Sequence, residues 1–335
     1  ALAGNAGISE VDYLAYWGYA ASISTVIVAI LGPTMGTVAD TRNYKKPLFV
    51  FFMMIGVIGC AALSVPTSWI VFLVVFVIAK VGYNASLIFY DSMLVDVTTP
   101  ERMDKVSSHG YAWGYIGSCI PFIISLVFVL MYESIGITMN TAMMLAFLIN
   151  AAGWVLMTLP LLKNYRQKNF AAPPEHPIKD SFIRLGHTLR DIKKEKKIFL
   201  YLLAFFFYID GVYTIIEMAT AYGSALGLDT TGLLLALLVT QIVAFPCALI
   251  FSRFSKRYET TKLIKVGISA YTLIALFAIQ LYKQWEFWFL AVMVGMFQGA
   301  IQALARSYFA KIIPAEKSGE YFGIYDICGK GASFM

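Results

Sequence analysis

Gly36-Thr37-Val38-Ala39-Asp40-Thr41-Arg42-Asn43-Tyr44-Lys45-Lys46-Pro47 is a short polar interruption between two long apolar runs, 12–38 and 47–64. About 20 apolar residues cross a hydrocarbon core of about 30 Å. Each run is therefore long enough to be a membrane span, and the link between them, one aspartate among three basic residues, belongs at a membrane surface.

The same reading repeats along the chain. Its 335 residues are 59% hydrophobic and 14% charged, with a mean hydropathy of +0.71, against roughly 45–50% and 25% in a soluble domain. Further apolar runs fall at 69–96, 107–132, 140–162, 198–223, 230–252, 262–282 and 285–312, and a tenth begins near 320. Hydrocarbon offers no partner to a free backbone group, so these spans are expected to be helices. Lysine and arginine are strongly asymmetric. The loops on the side of Arg42 hold 23 of the 26 basic residues, the opposite loops hold Lys283, and Lys80 and Lys330 fall inside spans. The rule that basic loops stay inside makes the first set cytoplasmic. The net charge of +6 is then a topological signal that calls for no nucleic acid. Cys60, Cys119, Cys247 and Cys328 are widely spaced, which argues against a disulfide framework or metal site, and Ala1–Glu10 has no signal-peptide pattern.

Lys163–Lys197 is the longest hydrophilic stretch and divides the spans into a first bundle (1–162), a central cytoplasmic loop (163–197) and a second bundle (198–335). Within the loop, Ile178, Phe182, Leu185, Leu189 and Ile192 follow helical spacing between basic residues. Two readings stay open: an amphipathic helix on an anionic membrane face, or a linker helix packed on the bundle.

The opening stretch resembles the signature loop of the major facilitator superfamily, in which a glycine, an aspartate and a basic cluster join helices two and three. It has Asn43 where the superfamily has a glycine, and the second-half loop Arg253-Phe254-Ser255-Lys256-Arg257 has no aspartate. Gln298-Gly299-Ala300-Ile301-Gln302-Ala303-Leu304-Ala305-Arg306-Ser307-Tyr308 and Gly319-Glu320-Tyr321-Phe322-Gly323-Ile324-Tyr325-Asp326 resemble the vacuolar amino-acid effluxer-like (autophagy-related efflux) branch and its bacterial relatives. So do Tyr83-Asn84-Ala85-Ser86 and the stretch from Ser107 to Ser118. The resemblance implies an all-α integral membrane fold of two helical bundles. Counted against it, the chain is expected to be a fragment lacking helix one, part of helix eleven and helix twelve.

Ionisable groups in hydrocarbon are costly unless paired or facing water, which makes each a functional candidate. In the span 69–96, Lys80 lies about 16 Å deep at 1.5 Å per residue, with Asn84 and Asp91 on its face. In the span 198–223, Asp210 shares a face with Tyr213, Thr214 and Glu217; in 285–312, Gln298 and Gln302 form a stripe that Arg306 continues. The resemblance puts these three spans, as helices four, seven and ten, around the central cavity. Lys80 and Asp210 then suit the carboxylate and ammonium of an amino-acid-like substrate, or a carboxylate carries a coupling proton. The alternative is that Lys80 and Asp210 neutralise each other and Glu217 is solvated. Asp326 and Lys330 read as an intrahelical pair, Gly110, Gly114 and Gly117 as a face for close helix contact, and Gln241 as a weaker site candidate. For Asp40, Arg42 and Lys45, and for Arg306, the resemblance implies gating, with Asp40 near the start of helix eleven; the alternative is a surface charge cluster that only sets orientation.

The resemblance implies a secondary transporter of small solutes working by alternating access, with efflux of amino acids foremost; a coupling proton on one of the carboxylates is an option it leaves open. A non-transporting sensor or scaffold on the same fold is the rival. No nucleotide loop, cofactor motif or clustered catalytic set points to an enzyme. The implied location is the plasma membrane if the chain is bacterial and the vacuolar membrane if fungal.

Overall fold

The structure, a computed structural model, describes residues 7–8, 10–65, 68–172 and 177–331. Eleven helices of more than eight residues follow one another: α1 (Glu10–Ala39), α2 (Lys45–Ala62), α3 (Trp69–Ser92), α4 (Met103–Leu130), α5 (Met139–Asn164), α6 (Pro177–Lys194), α7 (Lys196–Ala225), α8 (Thr230–Phe254), α9 (Thr260–Ala278), α10 (Gln284–Ile312) and α11 (Ser318–Gly331). All but α6 and α11, nine among the described residues, are long and apolar enough to cross a membrane. The only non-helical pairing among the described residues is a single parallel bridge between Thr41 and Ala171.

Local chemistry explains the ends. Asp229 precedes α8 and its carboxylate accepts the Gly232 N–H at 2.6 Å, while Thr138 does the same for α5 through the Thr141 N–H at 3.2 Å. Each satisfies one amide that a helix start leaves without a partner. Before α10 the work is done from inside: Glu286 reaches back to the Lys283 and Tyr282 N–H groups at 2.9 and 2.8 Å. Pro33, Pro121, Pro160 and Pro246 lie within helices, and near the first the Thr37 hydroxyl donates to the Pro33 carbonyl at 3.0 Å.

The chain forms two compact units. Unit one holds residues 1–97, 124–195 and 314–335; unit two holds 98–123 and 196–313. This grouping differs from a division at the central loop: the first three-quarters of α4 goes with the later helices and α11 with the earlier ones. In unit one the core is Phe49, Phe52, Met53 and Val57 of α2 against Ala85 and Phe89 of α3, with Ala151 and Tyr165. Gly56 and Gly82 let α2 and α3 approach until a Cβ on Gly82 would lie 2.8 Å from the Phe52 carbonyl oxygen. Without a hydrophobic drive between helices in lipid, such small-residue contacts carry association. α6 packs on α1 with Thr188 and Ile192 buried, whereas Leu189 stays exposed; the side chains of Ile178 and Phe182 lie outside the described residues. In unit two, Leu233 and Ala236 of α8 pack with Ile274 of α9 and with Phe287, Leu290, Ala291 and Val294 of α10. Gly114 departs from its expected packing role: a Cβ there would meet nothing within 4 Å.

Candidate transport and gating site

α1 ends at Ala39, and Asp40 leaves it with its carboxylate turned to the start of α11. One oxygen accepts the Gly319 N–H at 2.7 Å and the other the Glu320 N–H at 2.9 Å. These amides belong to a helix N-terminus, where N–H groups lack intrahelical partners and the dipole favours an anion. The approach depends on two glycines. A Cβ on Gly319 would lie 2.5 Å from the Gly36 carbonyl oxygen and 2.9 Å from the Asp40 carboxylate.

Lys45, at the start of α2, is wholly buried beside this contact. Its ammonium lies 3.0 Å from an Asp96 oxygen and 4.0 Å from Asp40, and donates to the Ser318 hydroxyl at 2.9 Å. A buried ammonium is tolerable only with such partners. Asp96, in the short helix Leu94–Val97, is also held by the Tyr165 hydroxyl at 2.6 Å, the Lys168 and Asn169 N–H groups at 3.1 and 2.8 Å, and the Asn169 side-chain amide at 3.0 Å. The segment after α5 is laced to the loop as well, through Gln167 to the Ala39 carbonyl at 3.1 Å and Ala171 N–H to the Asp40 carbonyl at 2.8 Å. Burial pushes the Asp40 carboxyl up to about 7, against the pull of Lys45 and the two amides, and the Glu320 carboxylate adds to the rise. Burial and the neighbouring Asp96 push the Tyr165 phenol up, which keeps it a donor. Arg42 instead faces outward, 5.4 Å over the Phe170 ring.

Unit two has its own polar knot. Asp104, in the first turn of α4, accepts from the Ser307 hydroxyl at 2.6 Å, the Thr260 hydroxyl at 2.7 Å and the Lys311 ammonium at 2.6 Å. One turn on, the buried Arg306 guanidinium donates to the Ser107 hydroxyl at 3.0 Å and the Ser107 carbonyl at 3.3 Å, and lies 4.8 Å over the Tyr111 ring. Arg306 therefore pins α10 to α4 within unit two.

The midplane candidates divide between the units. In unit one, Lys80 is half-buried with its ammonium 5.8 Å over the Phe76 ring, and Asn84 is buried. In unit two, Asp210, Tyr213 and Gln302 are half-buried and Glu217 is exposed. Gln298 lines a cavity between α7, α8 and α10 that Asp210, Tyr213, Glu217 and Gln302 do not line.

Sequence reasoning missed Asp96, Asp104, Ser307 and Lys311 as a group. Asp96 and Asp104 each stand where an apolar span meets a polar turn, which reads as an ordinary solvated end. A usable signal was present: Asp96 sits inside the otherwise apolar Leu94-Val95-Asp96-Val97.

The family described as vacuole effluxer Atg22-like matches residues 4–99 and 95–335. The MFS-type transporter YxiO of Bacillus subtilis is 43% identical over 99% of this chain and 79% of its own length. The chain belongs to the Atg22-like vacuole effluxer family. Autophagy-related protein 22 of Coccidioides immitis is 22% identical over 97% of this chain and 67% of its own length. Among solved structures, the proton:xylose symporter XylE superposes with a TM-score of 0.67 at 13% identity, covering 98% of this chain and 78% of the symporter. That likeness shows the fold, the all-α fold of the major facilitator superfamily. Atg22-like family and fold together point to a multi-pass membrane transport protein rather than an enzyme.

Proposed function

We propose that the chain is a secondary transporter that exports small solutes, amino acids foremost, by alternating access, with the Asp40 contact to α11 closing the side that bears the basic loops. The observation that carries this reading is a carboxylate bound to two main-chain amides of a helix 279 residues away in sequence. Such a contact is made or lost as a unit, and what it fixes is the position of α11 against α1. Two arrangements separated by a few such contacts are the kind of bistable element that alternating access requires. Lys45 and Asp96 hold the contact in register, Arg42 contributes charge at the surface, and Arg306 fastens α4 to α10 in the other unit.

In this reading Lys80, Asn84, Asp210, Tyr213, Glu217, Gln298 and Gln302 serve substrate or coupling ion, Lys80 toward a carboxylate and Asp210 toward an ammonium or a proton. An ionisable group inside a span is retained at a cost, which supports a role for both. The higher identity to a Bacillus relative favours a plasma membrane over a vacuolar one. The test is flux in proteoliposomes of the full-length protein under an imposed proton gradient. Asp210→Asn should abolish gradient-driven accumulation and leave exchange partly intact; accumulation equal to the parent's removes Asp210 from coupling.

A further inference from the structure

The cavity at Gln298 has a volume of about 60 Å³ and lies wholly within unit two, between α7, α8 and α10. It is not a product of loose packing. Beside it, α8 and α10 are locked: the Thr240 hydroxyl donates to the Ala236 carbonyl at 3.0 Å and the Ala291 carbonyl at 3.1 Å, and a Cβ on Gly295 would lie 2.7 Å from the Thr240 carbonyl oxygen. The space exists because Ala236, Ala291 and Ala219 put small side chains where three helices meet. It is therefore built before anything enters it.

The wall is apolar except for Thr240, Gln241 and Gln298, and no ionisable side chain among the described residues lines it. Thr240 has spent its one hydroxyl proton on the two carbonyls, and its oxygen can still accept. Gln241 is unspent: its amide oxygen is buried and accepts no hydrogen bond from the described residues. Gln298 is 8% exposed and lines the same wall. Buried polar atoms in folded proteins are nearly always partnered, so an orphan acceptor on a preformed cavity marks a place for a donor. A charged occupant would lose its hydration with no countercharge in reach.

We infer that this cavity is a binding pocket for a small uncharged polar group, a carboxamide or hydroxyl on a body of about acetamide size, whose N–H or O–H donates to Gln241 while Gln298 completes the pair. A carboxamide fits either orientation of the two glutamine amides, because it both donates and accepts. The proposal deepens the transport reading by assigning the Gln298 side of the site to the uncharged part of a solute. Its test needs binding alone, so its failure leaves that reading intact.

The experiment is thermal denaturation of the purified full-length protein with acetamide, ethanol, acetate or methylammonium at matched concentrations. A ligand that prefers the folded state raises its melting temperature saturably. Acetamide and ethanol should do so, and the two charged probes should not. Gln241→Leu should weaken the acetamide effect by about tenfold, the scale of one hydrogen bond. Ala291→Val, which fills the cavity and removes no polar group, should abolish it; it keeps the test open should Gln241→Leu fold poorly. A saturable shift with acetate equal to that with acetamide overturns the proposal. So does an acetamide shift that survives in both variants, or no saturable shift in the parent, which would leave the cavity to two or so ordered waters.

Discussion

Asp40 and Gly319 meet at 2.7 Å, carboxylate oxygen to main-chain amide, and around that contact the backbones of α1 and α11 lie too close for a side chain on either facing glycine. One carboxylate therefore reports whether two distant helices are together.

Gly319→Ala should separate them. The added methyl would stand 2.5 Å from the Gly36 carbonyl oxygen, and overpacking of this kind costs about 1–3 kcal/mol. Gly114→Ala, where the methyl meets nothing within 4 Å, is the control and should be neutral or stabilising by up to about 1 kcal/mol, the helix propensity difference. Melting temperatures of the two variants check this; equal losses would mean the close approach carries no weight.

Lys45→Met should be among the most damaging substitutions in unit one. It leaves Asp40 and Asp96 buried without their ammonium, a change on the order of 3–5 kcal/mol. Adding Asp96→Asn should recover part of the loss, since the two residues share one network. A double-mutant cycle with additive effects would show that the pair does not interact.

The pH dependence has a definite sign. Burial raises Asp40 from an ordinary carboxyl value to about 7 where it meets α11, so the buried state binds the proton more tightly than a released one. Its contribution is full below the ordinary carboxyl range and is lost as pH rises through about 7. The groups around it, Lys45, Asp96 and Tyr165 from the earlier part of the chain and Glu320 from α11, all within unit one, keep their identities in Asp40→Asn. Acidification from pH 8 to 5 should therefore favour the clasped state in the parent and have less effect in Asp40→Asn. Melting curves across that range check it; matching slopes for parent and variant would remove Asp40 as the titrating group.

Arg306→Lys should loosen α4 from α10 although the charge is kept. Lysine cannot reproduce the two bonds to Ser107 together with stacking on Tyr111. A loss of about 1.5–3 kcal/mol is expected, the scale of hydrogen bonds to a charged group, against a smaller one for exposed Arg42→Lys. Comparable effects at the two sites would contradict the burial difference.

The spans were legible in sequence because a bilayer fixes the length of apolar run that crosses it, and Asp40 was legible because its loop has few other residues to carry meaning. That Asp40 meets the start of α11 followed from the resemblance and not from its own stretch: Gly319 and Glu320 carry no local mark of a partner 279 residues earlier. Asp96 and Asp104 were passed over because an acid at a span end reads as solvated, and only packing shows that Lys45, Tyr165, Ser307 and Lys311 close over them. The exchange of α4 and α11 between units was hidden for a similar reason, since chain order does not encode which neighbour a span packs on. Gln241 and Gln298 each stood out as polar residues in spans, but their meeting at one cavity depends on how α8 and α10 are rotated.

Solute counterflow in proteoliposomes of the full-length protein, run with a panel of labelled amino acids on the parent and Asp40→Asn, tests the central claim most directly. The parent should show saturable counterflow with at least one of them, and Asp40→Asn should slow it by about tenfold, equivalent to about 1.4 kcal/mol of barrier, with the solute still bound. Binding without flux in the parent, or counterflow in Asp40→Asn at the parental rate, would contradict a transporter closed by the Asp40 contact to α11.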